Sequence, residues 1–576
     1  MLLAVASILI WCSSAQSSLK AQILSTVVYT RYGDRTPFIY ASNPALTPLG
    51  AQQLYQAGAK FRSRYLVPVL DITTPDTTIR DISTWQLHHD EIDILTTDDQ
   101  YVVASAQVFM QGLYPPLETF SNHSSVANSY ELANGSNLVA PLGGFQYPNI
   151  LTASGNDINS IWLAGQENCP AWSALTTDCY SSSAFQEFQA NTQSFYRGLQ
   201  PNLLNGVFPD TSVGYFDAYY IWDYLNYAYT HNSSVADLLA PEDLTRAKVL
   251  ADDWVFALNA NLTASGRSAG DHVGVIAGRT LASRVLQAFY TAINTQGQSD
   301  KMTLLFGSFE TMVSFAALSE LMSPHNGDFY NVPGAGSSFV FELFALEAEV
   351  TNTYPSTSDL YVRFLYQNGT DEDSSLVEYS LFGRSPSQSM MALQEFISAM
   401  ENIMIFNIGD WCSTCDSFSV FCPAFENVNT GSPGSSLVSG AQRGMQPVVA
   451  GVVGAVVALA VFALVIAGLL LLCGIRLQRR SGRRQSDLGG FKGAEKLASD
   501  QDLTMSKSRA GVSIVDSGAI HAPAKERVGS WELKDQAKTR NEQSPVLHVG
   551  NTRSSRKPSF EEDEIEAEPV KPYDYV

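Results

Sequence analysis

The stretch ILSTVVYTRYGDRTP, residues 23–37, constrains the fold of this chain more than any other. Its first eight residues are uncharged and rich in β-branched and apolar side chains, which predicts a short buried strand. The strand runs straight into Arg31-Tyr-Gly-Asp-Arg-Thr-Pro37, where Gly33 and Pro37 force a loop. Downstream, Thr47 is placed to cap and Pro48 to open a helix along which Leu49, Gln53, Leu54, Ala57 and Phe61 recur close to a helical period. Strand, loop and helix in that order predict an α/β fold with its site at the carboxyl end of the strand. The loop sets Arg31 and Arg35 around Tyr32, a pattern suited to gripping an oxyanion.

The same alternation continues along residues 16–426, which are even in composition and read as one folded ectodomain. DDQYVVASAQVFMQGLYPP predicts a second helix. MTLLFG predicts a strand, SFE a loop and TMVSFAALSELM a helix, and SSFVFELFAL predicts a late strand. The middle third, with GYFDAYYIWDYLNYAYTHN and DDWVFALNANL, carries aromatics at helical spacing and predicts a mostly helical insertion. Those rings suit core packing; a carbohydrate-binding platform is the sharper alternative. No internal repeat is visible.

Both ends of the chain point to a membrane. Residues 1–15 hold a short apolar run followed by Ser-Ser-Ala, a signal peptide cut near Ala15. Residues 427–446 form a Gly/Ser-rich stalk. Residues 447–475 carry no charge and exceed the roughly 20 residues that a membrane helix needs. Arg476, Arg479, Arg480, Arg483 and Arg484 follow at once and mark the cytoplasmic side, so the amino terminus faces outward. The expected location is the plasma membrane, with a vacuolar membrane as the alternative. Residues 476–576 are polar, lack a sustained apolar period and predict a disordered tail with cytoplasmic partners of its own. Ala450, Gly454 and Ala458 recur at every fourth position of the span, spacing that lets two copies of the helix approach in a homodimer.

Charge and sequons divide at the same point. Of 35 Lys plus Arg and 57 Asp plus Glu, 18 and 16 lie after Ile475, which leaves 17 basic against 41 acidic residues before it. So acidic an outer region excludes nucleic acid as a partner. Asn122, Asn134, Asn232, Asn261 and Asn368 each open an Asn-x-Ser/Thr site, and no such site falls in the tail. The outer cysteines number five: Cys169, Cys179, Cys412, Cys415 and Cys422. Cys169 and Cys179 are spaced for a local bridge, and two of the other three pair, which leaves one thiol or a longer link open. Cys412-x-x-Cys415 has no second ligand pair at zinc spacing, so a structural disulfide is preferred to a metal or redox site.

RYGDRTP, LTPLGAQQLYQAGAKFRSRY, TDDQYVVASAQVFMQGLYPP and GSFETMVSFAALSEL followed by SSFVFELF closely resemble, in order and spacing, the landmarks of the histidine acid phosphatases, the branch with phytases and prostatic-type acid phosphatases. The resemblance implies a phosphoglycerate-mutase-like α/β sandwich with a smaller, mostly helical cap, a phosphate-bearing small molecule as ligand, and no cofactor or metal. In that family the first loop reads Arg-His-Gly-x-Arg-x-Pro: the histidine attacks phosphorus, the arginines hold its oxygens, and a later His-Asp pair adds a phosphate contact and the acid. Residue by residue, Arg31 and Arg35 keep the clamp, but Tyr32 stands at the nucleophile and Phe309-Glu310 at the His-Asp pair. Tyr101 stands where a further arginine is usual.

Phosphoryl transfer depends on positioning and charge stabilisation, and these exchanges remove both the attacking atom and positive partners. A free tyrosine phenol titrates near 10, so at pH 5 about one part in 10⁵ is phenolate. Of the outer histidines, His88, His89, His123, His231, His272 and His325, none lies in a strand-to-helix loop of the right type, and His325 is placed best. The chain therefore reads as a cell-surface pseudophosphatase. The alternatives are an acid phosphatase with altered chemistry through Tyr32 or water and Glu310, and a sensor or adhesion module signalling through its tail. Arg31 and Arg35 equally suit a structural role as partners of Asp34 or Glu310.

Overall fold

The computed structural model describes residues 21–425 except 41–42, 69–75, 121–130, 137, 266–269, 325 and 347–352. The signal, stalk, span and tail segments, and with them Asn122, His123 and His325, lie outside the described residues. Among the described residues no helix is long and apolar enough to cross a membrane.

An eight-stranded mixed sheet organises the chain in the order β3-β2-β4-β1-β5-β6-β7, with β8 also pairing with β6. The strands are β1 (Ala21–Arg31), β2 (Ile92–Thr97), β3 (Leu151–Ala153), β4 (Met302–Gly307), β5 (Ser338–Leu346), β6 (Leu360–Gln367), β7 (Val377–Tyr379) and β8 (Met390–Ala392). Strands β1 to β4 run parallel; from β5 onward each pairing is antiparallel. β1 and β4 are buried along most or all of their length, which explains their nearly continuous apolar sequences.

Because β1 alternates, Ile23 and Val28 feed one core and Val27 and Tyr29 the other. The first core is closed by α1 (Pro48–Tyr65) and α2 (Gln100–Leu113), through Leu54, Phe61, Phe109 and Leu113. Thr47 caps α1 by accepting from Gly50 N–H, as its sequence predicts. The second core is closed by α7 (Ile276–Asn294), α8 (Phe309–Leu318) and α9 (Leu393–Ile403). Helix α8 starts at Phe309, inside the SFE segment expected to be loop, because Ser308 already has the extended backbone of a cap.

A third core belongs to the cap: α4 (Ser183–Leu199), α5 (Ala218–His231) and α6 (Pro241–Asn259). Tyr215, Tyr219, Trp222 and Tyr224 are buried there, so the aromatic stripe is mainly core, while Phe216 and Tyr220 remain exposed. The cap core also takes Phe309, Val313 and Val332, which seats it over the start of α8.

The cysteine pairing corrects one expectation. Cys169 bonds Cys415 across 246 residues and Cys412 bonds Cys422, while Cys179 is free. Cys169 immediately precedes α3 (Pro170–Ser181), which carries Cys179 near its far end, and α10 (Ile408–Cys415) brings Cys415 to Cys169 instead. Asn134, Asn232, Asn261 and Asn368 are exposed. The first three turn Oδ1 back to a backbone N–H two residues on.

Candidate functional site

The parallel strands end together at one edge. Arg31 pairs with Gly307 at the ends of β1 and β4, and the start of the loop is tied to the segment that leads into β5: Arg31 N–H donates to Ser337 O at 2.9 Å and Gly336 N–H to Tyr32 O at 3.1 Å. The next turn is possible because two glycines meet. A Cβ on Gly33 would lie 2.6 Å from Gly50 O, and one on Gly50 would lie 2.1 Å from Asp34 O. The loop therefore lies directly on the first turn of α1, where Asp34 N–H donates to Gln53 Oε1 at 2.8 Å and Thr47 hydroxyl donates to the Asp34 carboxylate.

Arg31, Tyr32, Arg35, Tyr101, Phe309 and Glu310 lie together here. Their surroundings are aromatic. Tyr32 is 2% exposed, and its ring meets that of Tyr101 edge-on at 4.6 Å. The Arg31 guanidinium lies 5.1 Å from the ring centres of both Tyr32 and Phe309 and donates to Pro333 O. The Arg35 guanidinium lies 3.7 Å from the Phe38 ring, with Tyr32 at 5.2 Å and Tyr101 at 5.3 Å. Such contacts support a planar guanidinium in the absence of an anion, while Nε of both Arg31 and Arg35 is buried without a hydrogen-bond partner. Arg35 Nη2 also donates to the Tyr32 hydroxyl, at 3.4 Å.

Three residues of α5 complete the arrangement, and of these only His231 was named from the sequence, as one of the outer histidines. Asp223 accepts from Arg35 Nη1 at 3.1 Å and from Phe38 N–H at 3.2 Å. Tyr219 stacks 4.9 Å from Phe309, and its buried hydroxyl has no partner. His231 Nε2 lies 2.8 Å from Asp34 Oδ2. The spacing of Tyr219, Asp223 and His231 places them on one helix face, a signal readable only once that face is known to cover the loop. Arg35 therefore has a carboxylate partner, but it is Asp223 rather than Asp34 or Glu310.

The carboxyl side of the site is enclosed in a different way. Glu310 follows Ser308 at the start of α8, and its Oε2 is buried without a partner. Burial raises its pKa, against the opposing pull of the Ser308 hydrogen bond and of Arg31 and Arg35. Glu167, although exposed as a residue, has its carboxyl pKa pushed up to about 7 by desolvation and then by Asp99, Glu310 and Asp98. The Tyr29 hydroxyl, between Leu163 O at 3.1 Å and Ser308 O at 2.9 Å, holds the two segments side by side.

No imidazole takes the nucleophile's place among the described residues. His88 and His89 are exposed, the His272 ring bonds Leu262 O at 2.7 Å, and His231 touches the loop only through Asp34. The described residues contain no cluster of His, Cys, Asp and Glu suited to a metal ion. The arrangement offers two cations, a buried phenol and a carboxyl with raised pKa, without a strong nucleophile.

Solved structures similar to the chain include phytases and an inositol phosphatase. The phytase of Klebsiella sp. ASR1 is 13% identical with a TM-score of 0.44, covering 67% of this chain and 96% of its own. The phytase of D. castellii is 13% identical with a TM-score of 0.40, covering 72% and 86%. The Bifidobacterium longum multiple inositol polyphosphate phosphatase, in complex with inositol hexasulfate, is 14% identical with a TM-score of 0.34, covering 68% and 94%. No curated protein sequence matches the chain. The family model of the histidine phosphatase superfamily, branch 2, matches residues 23–367, which takes in the arginine loop, the cap and the strands that carry them. By that match the chain belongs to the histidine phosphatase superfamily, branch 2.

Proposed function

We propose that this chain is a pseudophosphatase: a histidine-phosphatase fold carried on a single membrane anchor at the cell surface, in which hydrolysis is lost. One observation carries the reading. The two arginines that would hold a phosphate are stacked on Tyr32, Tyr101, Phe309 and Phe38, and Arg35 is already paired with Asp223. A phosphate ester entering this site must displace an internal carboxylate and would then find no nucleophile. A phosphate-bearing ligand that displaces Asp223 from Arg35 would be bound without turnover, and such binding is the activity we propose for the site. The signal peptide, the glycosylated outer face, the span at 447–475 and the cytoplasmic tail belong to the same proposal and rest on sequence alone.

A second reading has one observation in its favour. Glu310, with its raised pKa, is suited to donate a proton to a leaving alcohol, and direct attack by water would make the chain an altered acid phosphatase. Turnover of a simple phosphomonoester and of phytate by the purified full chain, from acid to neutral pH, separates the two. The pseudophosphatase reading expects none. Turnover that Arg31→Ala abolishes would overturn it, and loss of that turnover in Glu310→Gln would establish the second.

A further inference from the structure

The segment Asp416–Phe421 is folded inside out. Its side chains alternate, and the polar ones turn inward: Ser417 hydroxyl donates to Asn168 O at 2.7 Å and accepts from Ser419 N–H at 3.3 Å. Phe418 and Val420 turn outward and are 88% and 77% exposed. Phe421 returns to the fold, its ring 5.9 Å from Trp411. The loop cannot fold back over its own apolar tip. Cys412–Cys422 closes it, Cys169–Cys415 ties it to the core, and Ser417 N–H bonds Cys412 O at 3.0 Å. A phenylalanine and a valine held outward on so constrained a loop stay in water unless another surface covers them.

The position of the loop in the chain identifies that surface. The described residues end at Phe425, three positions beyond Cys422, and the charge-free run begins at Pro447. A Gly/Ser-rich connection of about 20 residues has an end-to-end distance on the order of 25 Å. With the run in a bilayer, the loop is confined near the surface of that bilayer. Residues 412–422 include Asp416 and no Lys or Arg, so anionic headgroups are not what they attract. Phe and Val suit the boundary between headgroups and acyl chains. We infer that Phe418 and Val420 enter the lipid interface of the membrane that anchors the chain, so that the disulfide loop serves as a second contact fixing the posture of the folded domain. This rests on the span at 447–475 and goes beyond the pseudophosphatase reading.

The test uses the full chain reconstituted into phosphatidylcholine vesicles, with Phe418→Trp compared to the native protein. Emission is recorded with and without acyl-brominated lipid, and the same vesicles are extracted with alkaline carbonate. Val420→Trp repeats the reading should Phe418→Trp fail to fold. The expected result is an added blue-shifted component that brominated lipid largely quenches, in a chain that carbonate leaves embedded, and that phosphatidylserine does not strengthen. An embedded chain whose added emission is unquenched overturns the inference and leaves the span intact; if that emission is also blue-shifted, a second copy or a protein partner covers the loop instead. Release by carbonate overturns the span and the inference with it.

Discussion

Asp223 and Arg35 form a buried ion pair across the junction of cap and sheet, Oδ2 to Nη1 at 3.1 Å, with side chains 14% and 3% exposed. The carboxylate already occupies the guanidinium that an incoming anion would need. Asp223→Ala therefore leaves a buried cation without its partner, and breaking one half of such a pair costs about 3 kcal/mol. Denaturant unfolding should show that loss. Inorganic phosphate, filling the vacated place, should stabilise Asp223→Ala more than the native chain. Equal stabilisation of both would mean that Asp223 does not guard an anion site.

Cys169 and Cys415 constrain the unfolded chain across 246 residues, and a cross-link closing so long a loop contributes about 4 kcal/mol. Cys169→Ser with Cys415→Ser should lower stability by that order. Peptide mapping without reduction should recover Cys169 joined to Cys415, with Cys179 alone taking the alkylating label among Cys169, Cys179, Cys412, Cys415 and Cys422. Its labelling should be slow, since the thiol is half-buried and burial raises its pKa. A peptide joining Cys169 to Cys179 would contradict the fold at this point.

These two contacts also show where sequence reasoning stops. Strand β1, its loop and helix α1 were legible because local rules determine them: β-branched residues, a glycine, a proline and a cap within 45 residues. Arg31, Tyr32, Arg35, Phe309 and Glu310 were legible as a set through the resemblance of their motifs to those of the histidine acid phosphatases. Asp223 and His231 were not, since a carboxylate and an imidazole on an aromatic helix look like ordinary surface residues until the helix is seen to lie on the loop. Cys415 was missed for the same reason. Cys179 is ten residues from Cys169 and Cys415 is 246 away, and proximity in sequence is a poor guide once α10 packs beside α3.

Glu342 lies fully buried on β5, where its carboxylate accepts from Arg64 Nε at 3.1 Å, Arg64 Nη2 at 2.9 Å and the Tyr65 hydroxyl at 2.6 Å, and also from Arg363. The charge neutralises two arginines that approach from α1 and β6. Glu342→Gln keeps the shape but removes the charge, and a loss of about 4 kcal/mol is expected for an uncompensated buried group. Chemical denaturation should register it as a lower midpoint at unchanged slope. An effect within experimental error would show that solvent reaches both arginines.

The pKa of Glu167, raised from 4.5 to about 7, gives a pH dependence of defined sign. The folded state holds this proton more tightly than the unfolded chain does. Its contribution to stability is therefore fully present below about 4.5 and is lost as the pH rises toward 7. Solvent at the exposed stem of the residue damps the effect. The native chain should lose more stability across that interval than Glu167→Gln, read from denaturant midpoints at matched ionic strength. Identical slopes would place the carboxyl in open water.

Tyr32→His alone should not restore phosphatase turnover, and the packing around it says why. The new imidazole would still face the Tyr101 ring, while Phe309 would still cover Arg31 and Asp223 would still hold Arg35. Attack on phosphorus needs the anion seated between both guanidiniums before the nucleophile counts, and positioning accounts for much of such catalysis. Tyr32→His combined with Phe309→His and Asp223→Ala supplies the nucleophile, the second imidazole and a free Arg35. Only the combination should yield phosphomonoester turnover, with a phosphohistidine trapped at position 32 after rapid quench. Activity in Tyr32→His by itself would show that the aromatic stacking and the internal carboxylate are no barrier, and that the single exchange at the nucleophile is what silences the site.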